Sequence, residues 1–389
     1  MDDRDSLMAQ NASVYHADRA CIVCGARLWT RLPDPGTQSI ASDWRVVHEP
    51  LGKHACETCG IGCRPAPPAV SHDLYGEQYA LYAHAPGDVF ERARQSQYAS
   101  WISSGAPTAP RRVLDVGCGN GSLLIALRDY WPDAELLGCD PSPDSIAYAA
   151  AQGLRVWRGT AEDLPAGIDA DLIVSVNVIE HTADPVGFAG CLRRAGTAQA
   201  TAIIICPDAS RPGVELLFAD HLWSFTPEHL VSVLARAGCT PLGTSVAPSL
   251  LGAFQMVIVG SNGRALEPTQ VDPCDLNRRR RVYLERWRAL DQRLHERLPE
   301  SVVCFGIGEA AGLLRAYGPQ SWSRVRACTA DVIPHLQFGD LPLVPLDRLG
   351  PDTAVLVGVR PQLQNVIAKR LRTRFANVTT WYDLIGDEW

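Results

Sequence analysis

The stretch Val113-Leu114-Asp115-Val116-Gly117-Cys118-Gly119-Asn120-Gly121 most constrains what this chain can fold into. Its apolar, partly β-branched start has the character of a buried strand. Three glycines then follow in the spacing G-x-G-x-G, and Leu123, Leu124, Leu127 and Trp131 continue at helical spacing. The pattern predicts a strand feeding a tight glycine turn that feeds a helix. Such a turn lets a ligand approach the backbone closely, because glycine carries no Cβ. Leu136-Leu137-Gly138-Cys139-Asp140 reads as the next strand and ends in an acid 19 positions after Gly121. A carboxylate at that place can accept both hydroxyls of a ribose. The loop lacks the G-x-G-x-x-G spacing of the dinucleotide fingerprint.

Further segments follow in order. Arg155-Val156-Trp157 is the expected third strand, followed by Gly159-Thr160-Ala161-Glu162-Asp163-Leu164-Pro165. Asp171 to Val176 is nearly continuous Leu, Ile and Val, as a strand buried on both faces should be. It ends at Asn177, with Glu180 and His181 on the next turn. Together, VLDVGCGNG, LLGCDPS, GTAEDLP and DLIVSVNVIEHTADP resemble the successive motifs of class I S-adenosylmethionine-dependent methyltransferases. The resemblance covers about residues 110 to 260. It implies a Rossmann-like α/β core and S-adenosylmethionine as cofactor. It also implies cofactor contacts from Asp115, Gly117, Gly119, Gly121, Asp140, Ala161, Glu162, Asp163 and Asn177. Many members carry Asp where Thr160 stands, and either Asp163 or Glu162 is then left to meet the adenine.

Upstream, Cys21-Ile22-Val23-Cys24 and Cys56-Glu57-Thr58-Cys59 are each followed by glycine. Paired C-x-x-C-G knuckles predict a closed, four-thiolate structural zinc site from Cys21, Cys24, Cys56 and Cys59. His54 and Cys63 stand nearby as rival ligands. The 31 residues between the knuckles are expected to form a small hairpin, with Trp44-Arg45-Val46-Val47 as strand. Arg64-Pro65-Ala66-Pro67-Pro68 is a stiff connector. Tyr75-Gly76-Glu77-Gln78-Tyr79 follows, resembling leaders that fold over the cofactor, and residues 88 to 103 read as a helix.

Beyond the core, 263–273 reads as a polar linker and Arg278 to Leu298 as a basic amphipathic helix with a solvated arginine face. Val302 to Gly312 repeats the strand, glycine turn and helix pattern. Apolar Thr353 to Val359 and helical Pro361 to Phe375 complete a smaller Rossmann-like unit. The domain organisation is therefore 1–71 zinc-binding, 72–262 methyltransferase-like, 263–299 linker and helix, and 300–389 C-terminal Rossmann-like.

That order resembles the deoxysugar C-methyltransferases, which act on nucleotide-linked keto sugars. Their loop typically reads Y-H-E-H-F-S-Y-F, and Phe218-Ala219-Asp220-His221-Leu222-Trp223-Ser224-Phe225 aligns with it. The resemblance implies His221 as general base, oriented by Asp220, with His181 facing the acceptor. The tyrosine and first histidine of the pattern are replaced by Phe218 and Ala219. Methylation of another carbon or of a hydroxyl, on a sugar or natural product, therefore stays open. So do an RNA methyltransferase and a non-catalytic nucleotide-binding scaffold. The net charge of −7 argues against a nucleic-acid partner, which needs clustered positive charge. No run approaches the roughly 20 apolar residues that span a membrane. The acidic start, MDDRDSLMAQ, has no apolar stretch of a secretory leader. Thirteen cysteines without such a leader predict a reducing, cytoplasmic setting.

Overall fold

A computed structural model describes residues 14–16, 19–68, 89–106, 109–267, 269–332 and 338–386. The tyrosine-rich stretch at 75–79 lies outside them. Six short strands come first: β1 (Val14–His16), β2 (Leu28–Arg31), β3 (Ser39–Ile40), β4 (Val46–Val47), β5 (His54–Cys56) and β6 (Gly62–Cys63). Helix α1 (Val89–Gly105) leads into the core. The core then alternates β7 (Arg112–Val116), α2 (Ser122–Arg128), β8 (Glu135–Asp140), α3 (Pro143–Ala151), β9 (Arg155–Arg158), β10 (Ala170–Val176), α4 (Pro185–Ala195) and β11 (Gly196–Pro207). It closes with β12 (Trp223–Ser224), α5 (Pro227–Arg236), β13 (Pro241–Val246) and β14 (Phe254–Val259).

The central sheet has the order β13-β14-β11-β10-β7-β8-β9. Pairing from β9 through to β11 is parallel, whereas β14 runs antiparallel to both of its neighbours. The period-2 alternation of a strand divides its side chains between two apolar layers. Val113, Leu172, Val174, Ile203 and Ile205 face one layer. Leu114, Val116, Ile173 and Ile204 face the other. The chain leaves β7 toward β8 and β9 on one side and returns to β10 and β11 on the other. The C-terminal ends of β7 and β10 therefore flank the switch point, where open α/β sheets bind ligands.

Long helix α6 (Pro273–Arg297) precedes β15 (Val302–Phe305), α7 (Glu309–Tyr317), α8 (Pro319–Trp322), β16 (Val325–Thr329), β17 (Val355–Val357), α9 (Pro361–Leu371), β18 (Val378–Thr379) and α10 (Tyr382–Ile385). These strands form an all-parallel sheet in the order β16-β15-β17-β18, the smaller α/β unit that the glycine pattern implies.

Two expectations are corrected. Trp44 is not in a strand: it occupies the turn between β3 and β4 with φ of 68°. The expected amphipathic helix is α6, and its apolar stripe is buried: Tyr283, Trp287, Leu290 and Leu294 pack with Ile40, Phe218, Leu313 and Trp381. Its arginine face is not wholly solvated, because Arg280 is fully buried and donates to the Gly60 carbonyl. The N-terminal segment is tied to the rest of the chain by strand pairing. Its five-stranded sheet, β1-β2-β5-β6-β12, is completed by Trp223–Ser224 from the far side of the core, in the register Trp223 to Cys63 and Ser224 to Gly62.

Candidate active site

The glycine turn after β7 is held by its own neighbours. The Gly117 and Cys118 N–H groups donate to the Cys139 carbonyl at 2.9 and 3.0 Å. Gly117 has φ of 83°, and a Cβ there would lie 2.3 Å from Val178 Cγ2, so no larger residue fits. The Asp140 carboxylate, at the end of β8, accepts from Gly119 N at 3.0 Å and Ser142 N at 2.9 Å. Asp115 is buried beneath the turn, and its Oδ1 has no hydrogen-bond partner among the described residues. Burial, with a contribution from the Asp140 charge, pushes its carboxyl up to about 8. Asn177, at the end of β10, adopts φ of 57° and leaves its buried Oδ1 likewise unpartnered. Unpartnered buried acceptors are costly unless a ligand donates to them. Both lie at the switch-point end of the sheet, which fits the ammonium- and hydroxyl-bearing cofactor implied by the motifs.

On the third strand's side, Ala161 is buried while Glu162 and Asp163 are exposed. The Asp163 carboxylate closes its own turn, accepting from the Thr160 N–H at 2.9 Å and hydroxyl at 3.0 Å. The Thr160 backbone thereby holds it below the usual carboxylate range. One contact escaped the sequence reading: Asn120 donates to Glu91 at 2.8 Å and so ties α1 to the glycine turn.

A buried polar cluster is drawn from three parts of the chain. His181 Nδ1 lies 2.9 Å from the Asp220 carbonyl oxygen and 3.5 Å from its carboxylate. A carbonyl only accepts, so Nδ1 carries a proton and donates. The His181 and His221 rings meet edge to face with centroids 4.7 Å apart. Phe218 packs 5.1 Å from His221, occupying space beside the imidazole. The Nδ1 of His221 is buried with no partner among the described residues, as are both carboxylate oxygens of Glu180. Glu180 Oε1 stands 3.9 Å from His181 Nε2. Burial pushes Glu180 up to about 8. Burial also holds His221 well below its ordinary value, with His181 and Lys53 adding to the effect. The same burial lowers His181, opposed by the Asp220 charge.

Asp220 does not orient His221 as expected. Both carboxylate oxygens are engaged elsewhere, accepting from the Ser42 N–H at 2.9 Å and the Ser42 hydroxyl at 2.6 Å. Adjacent side chains thus diverge, with Asp220 turned to the N-terminal segment and His181. Lys53, fully buried, donates to the His221 carbonyl. Burial brings its ammonium down to about 8, opposed by Glu215 and Asp220. Arg64 N donates to the Leu222 carbonyl at 2.8 Å, and Ala219 N to the Ile40 carbonyl at 2.8 Å. Ser42, Lys53 and Arg64 carry no motif, and only their distant partners mark them. Replacing Ser42 by alanine removes a hydrogen bond to a buried charge, and chemical denaturation should show a loss of about 1.5–3 kcal/mol.

The four knuckle cysteines converge, whereas the rivals do not join them. Cys21, Cys24, Cys56 and Cys59 form one group with sulfurs within 4.8 Å of one another. Cys21 lies 3.6 Å from Cys59, and Cys24 lies 3.6 Å from Cys56. Tetrahedral zinc with bonds of about 2.3 Å sets ligand sulfurs about 3.8 Å apart. Gly25 and Gly60, at φ of 76° and 79°, turn the backbone so that their N–H groups reach the Cys21 and Cys56 carbonyls, both at 2.9 Å. His54 instead contacts the Gly52 carbonyl at 3.2 Å. The knuckle is anchored to the core by His229 Nε2, 2.7 Å from the Cys59 carbonyl.

Residues 90–243 match the family model described as a methyltransferase domain. That region is a class I S-adenosylmethionine-dependent methyltransferase domain. Over 67 residues the chain is 42% identical to a trans-aconitate 2-methyltransferase of Rhodococcus jostii, covering 17% of this chain and 26% of that protein. Over 164 residues it is 29% identical to a ubiquinone biosynthesis O-methyltransferase of Cereibacter sphaeroides, covering 36% and 65% respectively. The chain thus spans less than two thirds of either relative. A solved S-adenosylmethionine-dependent methyltransferase from Aquifex aeolicus is 16% identical with a TM-score of 0.37, over 43% of this chain and 92% of that one. No helix among the described residues is long and apolar enough to cross a membrane.

Proposed function

We propose that the chain transfers a methyl group from S-adenosylmethionine to a small-molecule acceptor, a nucleotide sugar or natural-product intermediate, bound against His181 and His221. The observation that carries this reading is the unpartnered, buried Nδ1 of His221 beside His181, in the polar cluster after β10. Asp140 would take the cofactor's ribose hydroxyls, and Asp115 and Asn177 its methionine end. The cofactor, when bound, supplies a methyl group already electrophilic enough to need only an aligned nucleophile. His221 Nδ1 receives the proton that the acceptor loses. Where that proton leaves a carbon α to a ketone, the electron pair left behind becomes the carbon nucleophile. His181, its Nδ1 proton committed to Asp220, holds the neighbouring wall in one tautomer.

The relative named for ubiquinone biosynthesis favours a second reading, in which the proton comes from a hydroxyl and oxygen is methylated. Solvent deuterium entering an α carbon of the acceptor, with cofactor withheld, distinguishes the carbon route from the oxygen route. A zinc ion held by Cys21, Cys24, Cys56 and Cys59 completes the proposal, supported by the sulfur spacing.

The cofactor assignment is tested at Asp140. Alanine removes a charged acceptor and should weaken S-adenosylmethionine binding by about 1.5–3 kcal/mol in calorimetry. Because Asp140 also ties Gly119 and Ser142, Asp140→Asn serves as the shape-preserving control. Unchanged affinity in both variants would end the assignment.

A further inference from the structure

We infer that Glu180 is a second catalytic group: a carboxylic acid whose O–H hydrogen-bonds an oxygen of the acceptor while His221 takes the acceptor's proton. The inference rests on the reading of this cluster as the acceptor site. It names the group that steadies the charge formed there.

Glu180 stands on the short turn Ile179–His181 after β10 and is 2% exposed. Neither of its carboxyl oxygens has a hydrogen-bond partner in another described residue. Its Oε1 lies 3.9 Å from His181 Nε2, too far for a hydrogen bond. The charges that bear on it, Asp220 and Glu215, are both negative. The other titratable groups near it are His181, His221 and the Cys206 thiol of β11, and burial favours the uncharged form of all three. An ionised carboxylate in that setting is unsolvated and unpaired, so keeping the proton is the cheaper state. Burial pushes the group up to about 8, opposed by its own backbone N–H.

A carboxyl oxygen of Glu180 and a ring nitrogen of His221 lie within 4.8 Å of each other. They do not satisfy one another, because both Glu180 oxygens and His221 Nδ1 are without partners. Two hydrogen bonds that share one atom at a tetrahedral angle span roughly 4.5 Å, so a small acceptor group fits between them. It meets a donor at one end and a lone pair at the other. A ketone uses both. As His221 removes a proton from the adjacent carbon, the C–H bond breaks and an N–H bond forms. The C–H electron pair becomes a C=C bond, and the carbonyl π pair moves to oxygen, where the Glu180 O–H meets the charge. A hydroxyl acceptor needs the base alone, so the pair favours the carbon route.

The test uses the full chain in deuterated water with cofactor withheld and a nucleotide-linked 4-keto-deoxysugar as probe. Deuterium entering the carbon beside the ketone is followed by mass spectrometry. Glu180→Met removes the donor and should slow exchange by on the order of 10²–10³-fold, the usual cost of one oxyanion donor. Glu180→Gln keeps an N–H donor in the same shape and should lose less. The acid form is the donor, so wild-type exchange should fall as pH rises through about 8, and Glu180→Gln should lack that fall. An alkaline fall that survives in Glu180→Gln belongs to another group, such as Lys53, and overturns the inference. This comparison decides the matter even where Glu180→Met fails to fold. A folded Glu180→Met that exchanges within about tenfold of wild type, below that range, overturns the inference and leaves the acceptor site standing. Absence of exchange in wild type overturns the carbon reading and the inference together.

Discussion

His221→Ala is expected to slow single-turnover methyl transfer by on the order of 10²–10⁴-fold, the usual cost of losing a general base. Cofactor affinity, measured separately, should hold, because His221 is not among the residues proposed to hold the cofactor. Burial keeps its imidazole neutral, and a neutral ring is the form that can accept a proton. The lone pair at Nδ1 competes with no hydrogen bond among the described residues. Phe218 beside the ring and the Lys53 ammonium on its carbonyl fix its position. A rate loss under about tenfold, with cofactor still bound, is well below that range and assigns His221 to packing. Asp220→Asn separates the two histidines. It disturbs His181 and the Ser42 clamp directly, and it reaches His221 only through the loop.

Cys56→Ser should remove the proposed zinc and, with it, much of the N-terminal fold. Structural four-ligand zinc sites carry apparent binding free energies of about 10–16 kcal/mol at neutral pH, and that energy is folding energy. Here the consequence extends beyond the knuckle. Cys56 ends β5, which pairs with β6, and β6 pairs with β12, just after Asp220 and His221. Unravelling β5 and β6 also frees Lys53, next to β5, from the His221 carbonyl. Elemental analysis should show loss of the tightly bound zinc. Thermal unfolding should shift down and broaden, and transfer should fall even though no cofactor contact is touched. A metal-free variant as stable and active as wild type would refute the structural role.

The glycine turn and the acid after it were legible because their parts are local. Strand, glycine turn and helix follow one another from Val113 to Leu127, and Asp140 ends the adjacent strand. The knuckles were legible for a related reason: a C-x-x-C-G unit bends on itself, and tetrahedral geometry then requires a second pair. The buried polar cluster was not legible beyond His181, Asp220 and His221. Ser42 and Asp220 are 178 positions apart, and Lys53 and His221 are 168 apart. No periodicity or spacing connects such residues. The same holds for Arg280, whose helix reads as a solvated basic stripe but packs against the knuckle carbonyl of Gly60.

By itself, then, the amino-acid order determined the alternating α/β core, the glycine turn with its acid, and the two cysteine pairs. Each depends on backbone conformation and burial within a few tens of residues. Only the tertiary structure decided that the N-terminal strands close on Trp223–Ser224, that Asp220 serves Ser42 and His181 rather than His221, and that Glu180 joins the two histidines. Those outcomes depend on which buried donors and acceptors meet across the chain. Burial makes each unmatched polar group costly, so the partner is chosen by the whole fold and not by the neighbours in sequence.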